Sequence, residues 1–144
     1  MKPRIVIPKV APEAYQAMLG LEKYIATTSI TPVLKELIKI RASQVNGCAY
    51  CINMHTADAR KLGVTEQRIY LLSAWREADV YTDEEKAVLA LTEEVTLISN
   101  HVSEETYENA AKYYDEKSLA EIIMMIITIN AWNRIGIATG MRAV

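Results

Sequence analysis

Apolar residues recur every three or four positions along most of the chain, the period of a helix with one buried face. Tyr15, Met18, Leu19, Leu21 and Ile25 form the first such stripe and predict a helix from Pro12 to about Thr27. Thr31-Pro32 predicts the next start, because Thr accepts a backbone N–H at a helix N-terminus and Pro suits the first turn. That helix carries Val33, Leu34, Leu37, Ile38 and Ile40 to about Val45, and Asn46-Gly47 breaks it. A third helix is predicted from Cys48 to Leu62, with Gly63 as its C-terminal stop. Thr65 opens a short fourth helix to about Ala74. Thr82-Asp83-Glu84-Glu85 is a capping signature that opens a fifth, to about Ser99. Ser103-Glu104-Glu105 opens a sixth and Ser118-Leu119-Ala120-Glu121 a seventh, to about Thr139. The first ten residues, punctuated by Pro3 and Pro8, are predicted to be extended.

Helices joined by short turns imply an all-α protein of six or seven helices. Neither a repeat nor a linker interrupts residues 1–144, so a single domain is predicted. A chain of this length buries roughly 68–70% of its unfolded surface, enough for a core without covalent staples. The segment from Leu119 to Trp132 is apolar nearly all round, which fits a central helix or a subunit interface.

Composition narrows the function classes. Hydrophobic residues make up 51% and charged residues 24%, with a net charge of −2 and no basic cluster, so no nucleic-acid partner is predicted. The longest strongly apolar stretch, Ile122 to Ile129, is too short to span a bilayer, and no signal-peptide pattern opens the chain. These features predict a cytoplasmic protein without a membrane partner. In a reducing compartment a CxxC pair is catalytic or metal-binding more often than a structural disulfide.

The chain's only two cysteines, Cys48 and Cys51, lie three residues apart, and His55 follows four residues later. Both spacings are one helical turn, so all three side chains share one face. Backbone N–H groups at a helix start favour a thiolate at Cys48, and an imidazole nearby can take or relay a proton. Two such thiols can cycle between dithiol and disulfide. Glu36, on the preceding helix among Val33, Leu34, Leu37 and Ile38, can approach His55 if the two helices fold back at Asn46-Gly47. Zinc is the rival chemistry, with Cys48, Cys51 and His55 as three ligands and Glu36 or His101 as a fourth. The absence of a second CxxC knuckle weighs against it. His101, after Asn100, reads as a helix C-terminal residue. Small apolar residues around the motif (Ala49, Ile52, Met54, Ala57, Ala59) suggest a narrow apolar approach to it.

Glu36, eleven intervening residues, Cys48-x-x-Cys51, three more, then His55 resembles the alkylhydroperoxidase D (AhpD)-like branch of the carboxymuconolactone decarboxylase superfamily. The Asn46-Gly47-Cys48-x-Tyr50-Cys51 segment and Asn130-Ala131-Trp132-Asn133-Arg134 are similar to its members, most strongly across residues 31–63. The resemblance implies an AhpD-like helical fold and a homo-oligomer, a trimer or hexamer. It implies a thiol-dependent peroxidase or disulfide reductase; no cofactor and no metal are predicted. Its partners would be a hydroperoxide and a dithiol or redox-protein electron donor. In the family pattern Cys51 attacks the peroxide, Cys48 resolves the sulfenic acid, and Glu36 and His55 relay protons. Tyr50 stands where some members carry a second His between the cysteines. Two other functions compete: a lactone decarboxylase of the same superfamily, which has no use for CxxC, and a redox-sensing or electron-shuttling adaptor.

Overall fold

Eight α-helices follow one another, and no strand occurs among the described residues, which are Lys2 and residues 4–144 of a computed structural model. They are α1 (Ile7–Val10), α2 (Pro12–Ala26), α3 (Pro32–Asn46), α4 (Ala49–Lys61), α5 (Glu66–Leu71), α6 (Asp83–Thr96), α7 (Glu104–Ala111) and α8 (Glu116–Thr139). Two 3-10 turns, Leu72–Glu77 and Ile98–Asn100, complete a single all-helical domain. The predicted extended start is corrected in part: Ile7–Val10 closes one helical turn, helped by Pro8 at a position where no N–H is needed. Met1 and Pro3, also placed in that segment, lie outside the described residues.

Side-chain oxygens set most helix starts. Thr31 accepts from the Leu34 N–H at 3.3 Å, and Ser103 from Thr106 at 3.2 Å. Thr82 and Glu85 form a reciprocal capping box, each side chain accepting the other's N–H. The last helix starts earlier than its Ser118 signal implied, because the Asp115 carboxylate takes the Ser118 N–H at 2.8 Å and caps the turn. The fifth predicted helix ends at Thr96 rather than Ser99. Leu97 leaves helical geometry, and a 3-10 turn follows, ending at His101 with φ 63°. The count of α-helices exceeds the predicted six or seven because of α1, in the segment expected to be extended.

Helix α3 is the axis of the domain, because it is apolar on two sides. Leu34, Ile38 and Ala42, spaced by four, face a core shared with Val88 and Leu91 of α6 and Ile122, Met125, Ile126 and Ile129 of α8. Leu37 and Ile40 face a second core with Ala59 of α4, Leu72, Trp75 and Leu89. A third side of α3 carries a polar stripe, Glu36, Lys39, Ser43 and Asn46, at helical spacings of three, four and three. That stripe faces α4 and α8, and it organises the site described below. Helix α8 spans 24 residues and is long and apolar enough to cross a membrane by length and composition, unlike the eight-residue stretch picked out above. Within the domain 44% of its most apolar window is buried.

One carboxylate ties α6 to α3 and to the 3-10 turn Leu72–Glu77. Glu93 of α6 accepts from Arg41 Nε at 2.8 Å and from Trp75 Nε1 at 2.9 Å through Oε1, and pairs with Arg76 at 2.8 Å through Oε2. Burial pushes its carboxyl upward, but the three donors outweigh this and hold it below the ordinary range. Glu93→Ala leaves Arg41 and the Trp75 N–H without their acceptor. The expected cost is about 2–3 kcal/mol, read as a fall in Tm on the order of 5–10 °C at fixed protein concentration. A Tm within about 1 °C of wild type would show the junction to be dispensable.

Candidate active site

The α3–α4 hairpin brings the predicted residues together. Gly47 ends α3 with φ 71°, a left-handed conformation that is cheap only for glycine, and the chain reverses within two residues. Cys48 then serves as the N-cap of α4 rather than its first helical residue, and its Sγ accepts the Cys51 N–H at 3.4 Å. One free N–H of the first turn of α4, that of Cys51, thus points at the Cys48 sulfur, where the helix N-terminus favours negative charge. Cys48 and Cys51 are joined as a disulfide, with both residues 2–3% exposed.

One turn beyond Cys51, His55 is buried, and its Nδ1 lies 3.1 Å from Glu36 Oε2. A carboxylate can only accept, so Nδ1 donates to Glu36, and in the neutral form of the ring that leaves Nε2 as the atom able to take a proton. The other carboxylate oxygen, Oε1, takes the Lys39 ammonium at 3.2 Å. Burial of Glu36 raises its pKa, but the hydrogen bond from His55 and the charge of Lys39 bring it below 4.5. Glu36 is therefore an ionised carboxylate held from both sides in a nearly closed setting. The sequence gives Lys39 no special mark, yet its place in the polar stripe, three residues after Glu36, is the signal that points to it.

Helix α8 closes the site from the other side. A Cβ at Gly136 would lie 3.3 Å from Cys48 Sγ and 3.7 Å from Cys51 Sγ, so the missing side chain is what lets the sulfurs approach the helix. Asn133, one turn earlier and fully buried, donates to Ser43 Oγ at 2.9 Å and accepts from Asn46 Nδ2 at 2.9 Å. Gly136→Ala is expected to destabilise the oxidised protein by about 1–3 kcal/mol while costing the reduced protein less, since a free Cys48 thiol can rotate away. Equal Tm losses in the two redox states would contradict this.

Other candidates fare differently. His101 is exposed and donates its backbone N–H to the Ile98 carbonyl, which fits the helix-end reading. Glu36, His55 and Asp58 present ligand atoms within 4.8 Å of one another, a donor set able to hold a divalent cation. Asp58 escaped the sequence reading; it lies three residues after His55, on the same helix face. The Lys39 ammonium on Glu36 opposes a cation there, and both sulfurs are committed to each other. The apolar approach expected around the motif does not enclose the site: Ala49, Met54 and Ala57 are exposed, while Ala59 belongs to the second core.

A buried CxxC disulfide at a helix start, an imidazole one turn on, and a carboxylate from the preceding antiparallel helix define a helical thiol–disulfide protein. The chain belongs to the carboxymuconolactone decarboxylase family, whose sequence model matches residues 12–94. Within that superfamily it is AhpD-like: its fold matches ATU0492 of Agrobacterium tumefaciens with a TM-score of 0.95 and 36% identity over 99% of both chains. ATU0492 is described as a protein of unknown function and candidate antioxidant defence protein AhpD. The uncharacterised protein YdfG of Bacillus subtilis is 51% identical over 99% of this chain and 98% of its own. The debrominase Bmp8, solved with 2,3,4-tribromopyrrole, matches with a TM-score of 0.82 and 27% identity over 90% of this chain and 70% of that one.

Proposed function

We propose that the protein is a thiol-dependent peroxidase that reduces hydroperoxides through Cys51 and Cys48. One observation carries the reading: the two sulfurs are already paired in a buried disulfide, on the same helix face as an imidazole pinned by Glu36. A carboxymuconolactone decarboxylase-type lyase has no role for such a pair.

In the reduced protein His55 Nε2 takes the Cys51 proton, while Glu36 stabilises the resulting imidazolium through Nδ1–H. The Cys51 thiolate attacks the outer peroxide oxygen and the O–O bond breaks. The sulfur becomes a sulfenic acid, and the alkoxide leaves as an alcohol after taking the proton from His55. The Cys48 thiol then attacks the Cys51 sulfur, forming the S–S bond and releasing water. A dithiol donor reduces the disulfide, returning two electrons and two protons while it becomes a disulfide itself. The near-complete burial of the pair favours fast resolution over further oxidation of the sulfenic acid. Assembly as a homo-oligomer, through exposed apolar residues of α8 such as Ile127, and work in the reducing cytoplasm belong to the same reading.

Stopped-flow mixing of reduced protein with one equivalent of cumene hydroperoxide tests it. The expected result is loss of both thiols of each chain in a single fast phase, with cumyl alcohol as product. Thiol loss no faster than that of a free dithiol at the same concentration would refute the peroxidase reading. Refutation with intact dithiol exchange would favour the adaptor.

A further inference from the structure

The polar stripe of α3 continues past the proton relay. Its last member, Asn46, reaches a cavity of about 370 Å³ whose other walls are Asn133, Arg134, Ile137 and Ala138 of α8. The cavity lies beside the turn that carries Cys48, and Gly136, which falls between the lining residues Arg134 and Ile137 in sequence without lining the cavity itself, is the point where the Cys48 sulfur meets that helix.

Its polar floor is held in place. Asn46 Nδ2 donates to Asn130 Oδ1 and Asn133 Oδ1, both at 2.9 Å, and Asn130 Nδ2 donates to Thr96 Oγ1 at 3.0 Å. Arg134 NH1 is fixed on the Asn130 carbonyl oxygen at 3.1 Å and on its Oδ1 at 2.9 Å. That leaves NH2 and Nε–H of the guanidinium without a protein acceptor, and no carboxylate pairs with Arg134 among the described residues. Arg4, also without a carboxylate partner among the described residues, places its NH1 on the Ala138 carbonyl oxygen at 2.7 Å at the same end of α8. Two uncompensated guanidinium groups thus flank the cavity in a chain of net charge −2. Exposed Ile137 and Ala138 supply an apolar wall.

We propose that this cavity binds the carboxylate of a small organic acid with an apolar chain, so that the thiol site acts preferentially on acid-bearing molecules. A guanidinium with one nitrogen already anchored pairs with a carboxylate at little entropic cost, and Ile137 and Ala138 cover the chain next to it. The inference rests on the thiol-redox reading for its role, though not for the binding itself. The acid is carried either by the hydroperoxide or by the dithiol donor; both present the same group to Arg134.

Octanoate is the probe for binding, titrated into the oxidised protein and followed by amide NMR, with 1-octanol as its neutral counterpart. Octanoate is expected to bind saturably and to shift the Asn46 and Asn133 side-chain amides. Arg134→Met is expected to weaken it by about 10- to 100-fold, and Arg134→Lys by less, with octanol indifferent to both. Absent saturation, or unchanged octanoate affinity in a natively folded Arg134→Met, overturns the proposal. The titration needs no turnover, so a protein that binds octanoate but consumes no peroxide refutes the peroxidase reading and leaves the acid site standing. Kinetics then identify the carrier, by comparing linoleic acid hydroperoxide with its methyl ester and dihydrolipoate with dihydrolipoamide. In the arm that matters, Arg134→Met raises KM about 10-fold for the acid and leaves the neutral twin unchanged. Equal effects on acid and neutral twin in both arms also overturn the proposal.

Discussion

Cys51→Ser is expected to reduce cumene hydroperoxide at least about a thousandfold more slowly than wild type, because loss of the nucleophile removes the covalent route altogether. Cys51 sits one turn before His55, so the imidazole proposed to accept its proton shares its helix face. Cys48→Ser behaves differently. It keeps the attacking thiol and loses only the partner that resolves it, so it completes one fast turnover and then stalls as a sulfenic acid open to further oxidation. The opposite pattern, a single turnover in Cys51→Ser and none in Cys48→Ser, would transfer the nucleophile to Cys48. That sulfur has its own claim, since it caps α4 and receives the Cys51 N–H. The pair of variants therefore decides which sulfur attacks, a point on which helix position and His proximity pull in different directions.

Glu36→Gln has the second-largest expected effect, a fall in peroxidase rate of about 10- to 100-fold with the fold retained. Glutamine keeps the shape and can still accept from His55 Nδ1–H, but it removes the negative charge that stabilises the imidazolium. The pH profile of thiol alkylation is expected to move to higher pH in the variant; an unchanged profile would show that Glu36 does not act through His55. The same carboxylate shapes acid stability. Its folded-state pKa is held below 4.5, so its contribution to stability is fully present above that value and is lost as pH falls through the folded pKa. Wild type should therefore lose stability below about pH 4.5, and Glu36→Gln should lose less over the same range, as read by chemical denaturation at stepped pH. Glu93, also held below its ordinary range, contributes acid sensitivity of the same sign and remains in both proteins.

Much of this site was readable from spacing. Cys48, Cys51 and His55 lie on one helix, where one-turn intervals fix a shared face whatever the rest of the chain does. Glu36 was harder, because its approach to His55 depends on how two helices cross, and the residues alone left it as readily on a solvated face. The resemblance to a family named it, and the hairpin at Gly47 makes the meeting physically possible. Lys39, Ser43 and Asn46 were visible as polar interruptions of an apolar helix, but only the second apolar face of α3 shows that their stripe points inward. Gly136 and Asn133 lie some ninety residues from the cysteines, and no local pattern couples them to sulfur or to Ser43. Of the helix boundaries that moved, one had a stronger cap nearby and another had no sequence signal to mark it. Asp115 caps α8 ahead of Ser118, and Leu97 breaks α6 without a glycine or proline to announce it.

The central claim is that Cys51 turns peroxide chemistry into a disulfide with Cys48, and trapping the intermediate tests it most directly. Reduced Cys48→Ser is mixed with one equivalent of cumene hydroperoxide in the presence of dimedone, and the intact mass and the modified peptide are read by mass spectrometry. A single stoichiometric dimedone adduct on Cys51, formed as fast as the peroxide disappears, is the predicted result. Peroxide consumed without an adduct on Cys51, or an unmodified protein with the peroxide intact, would contradict the account.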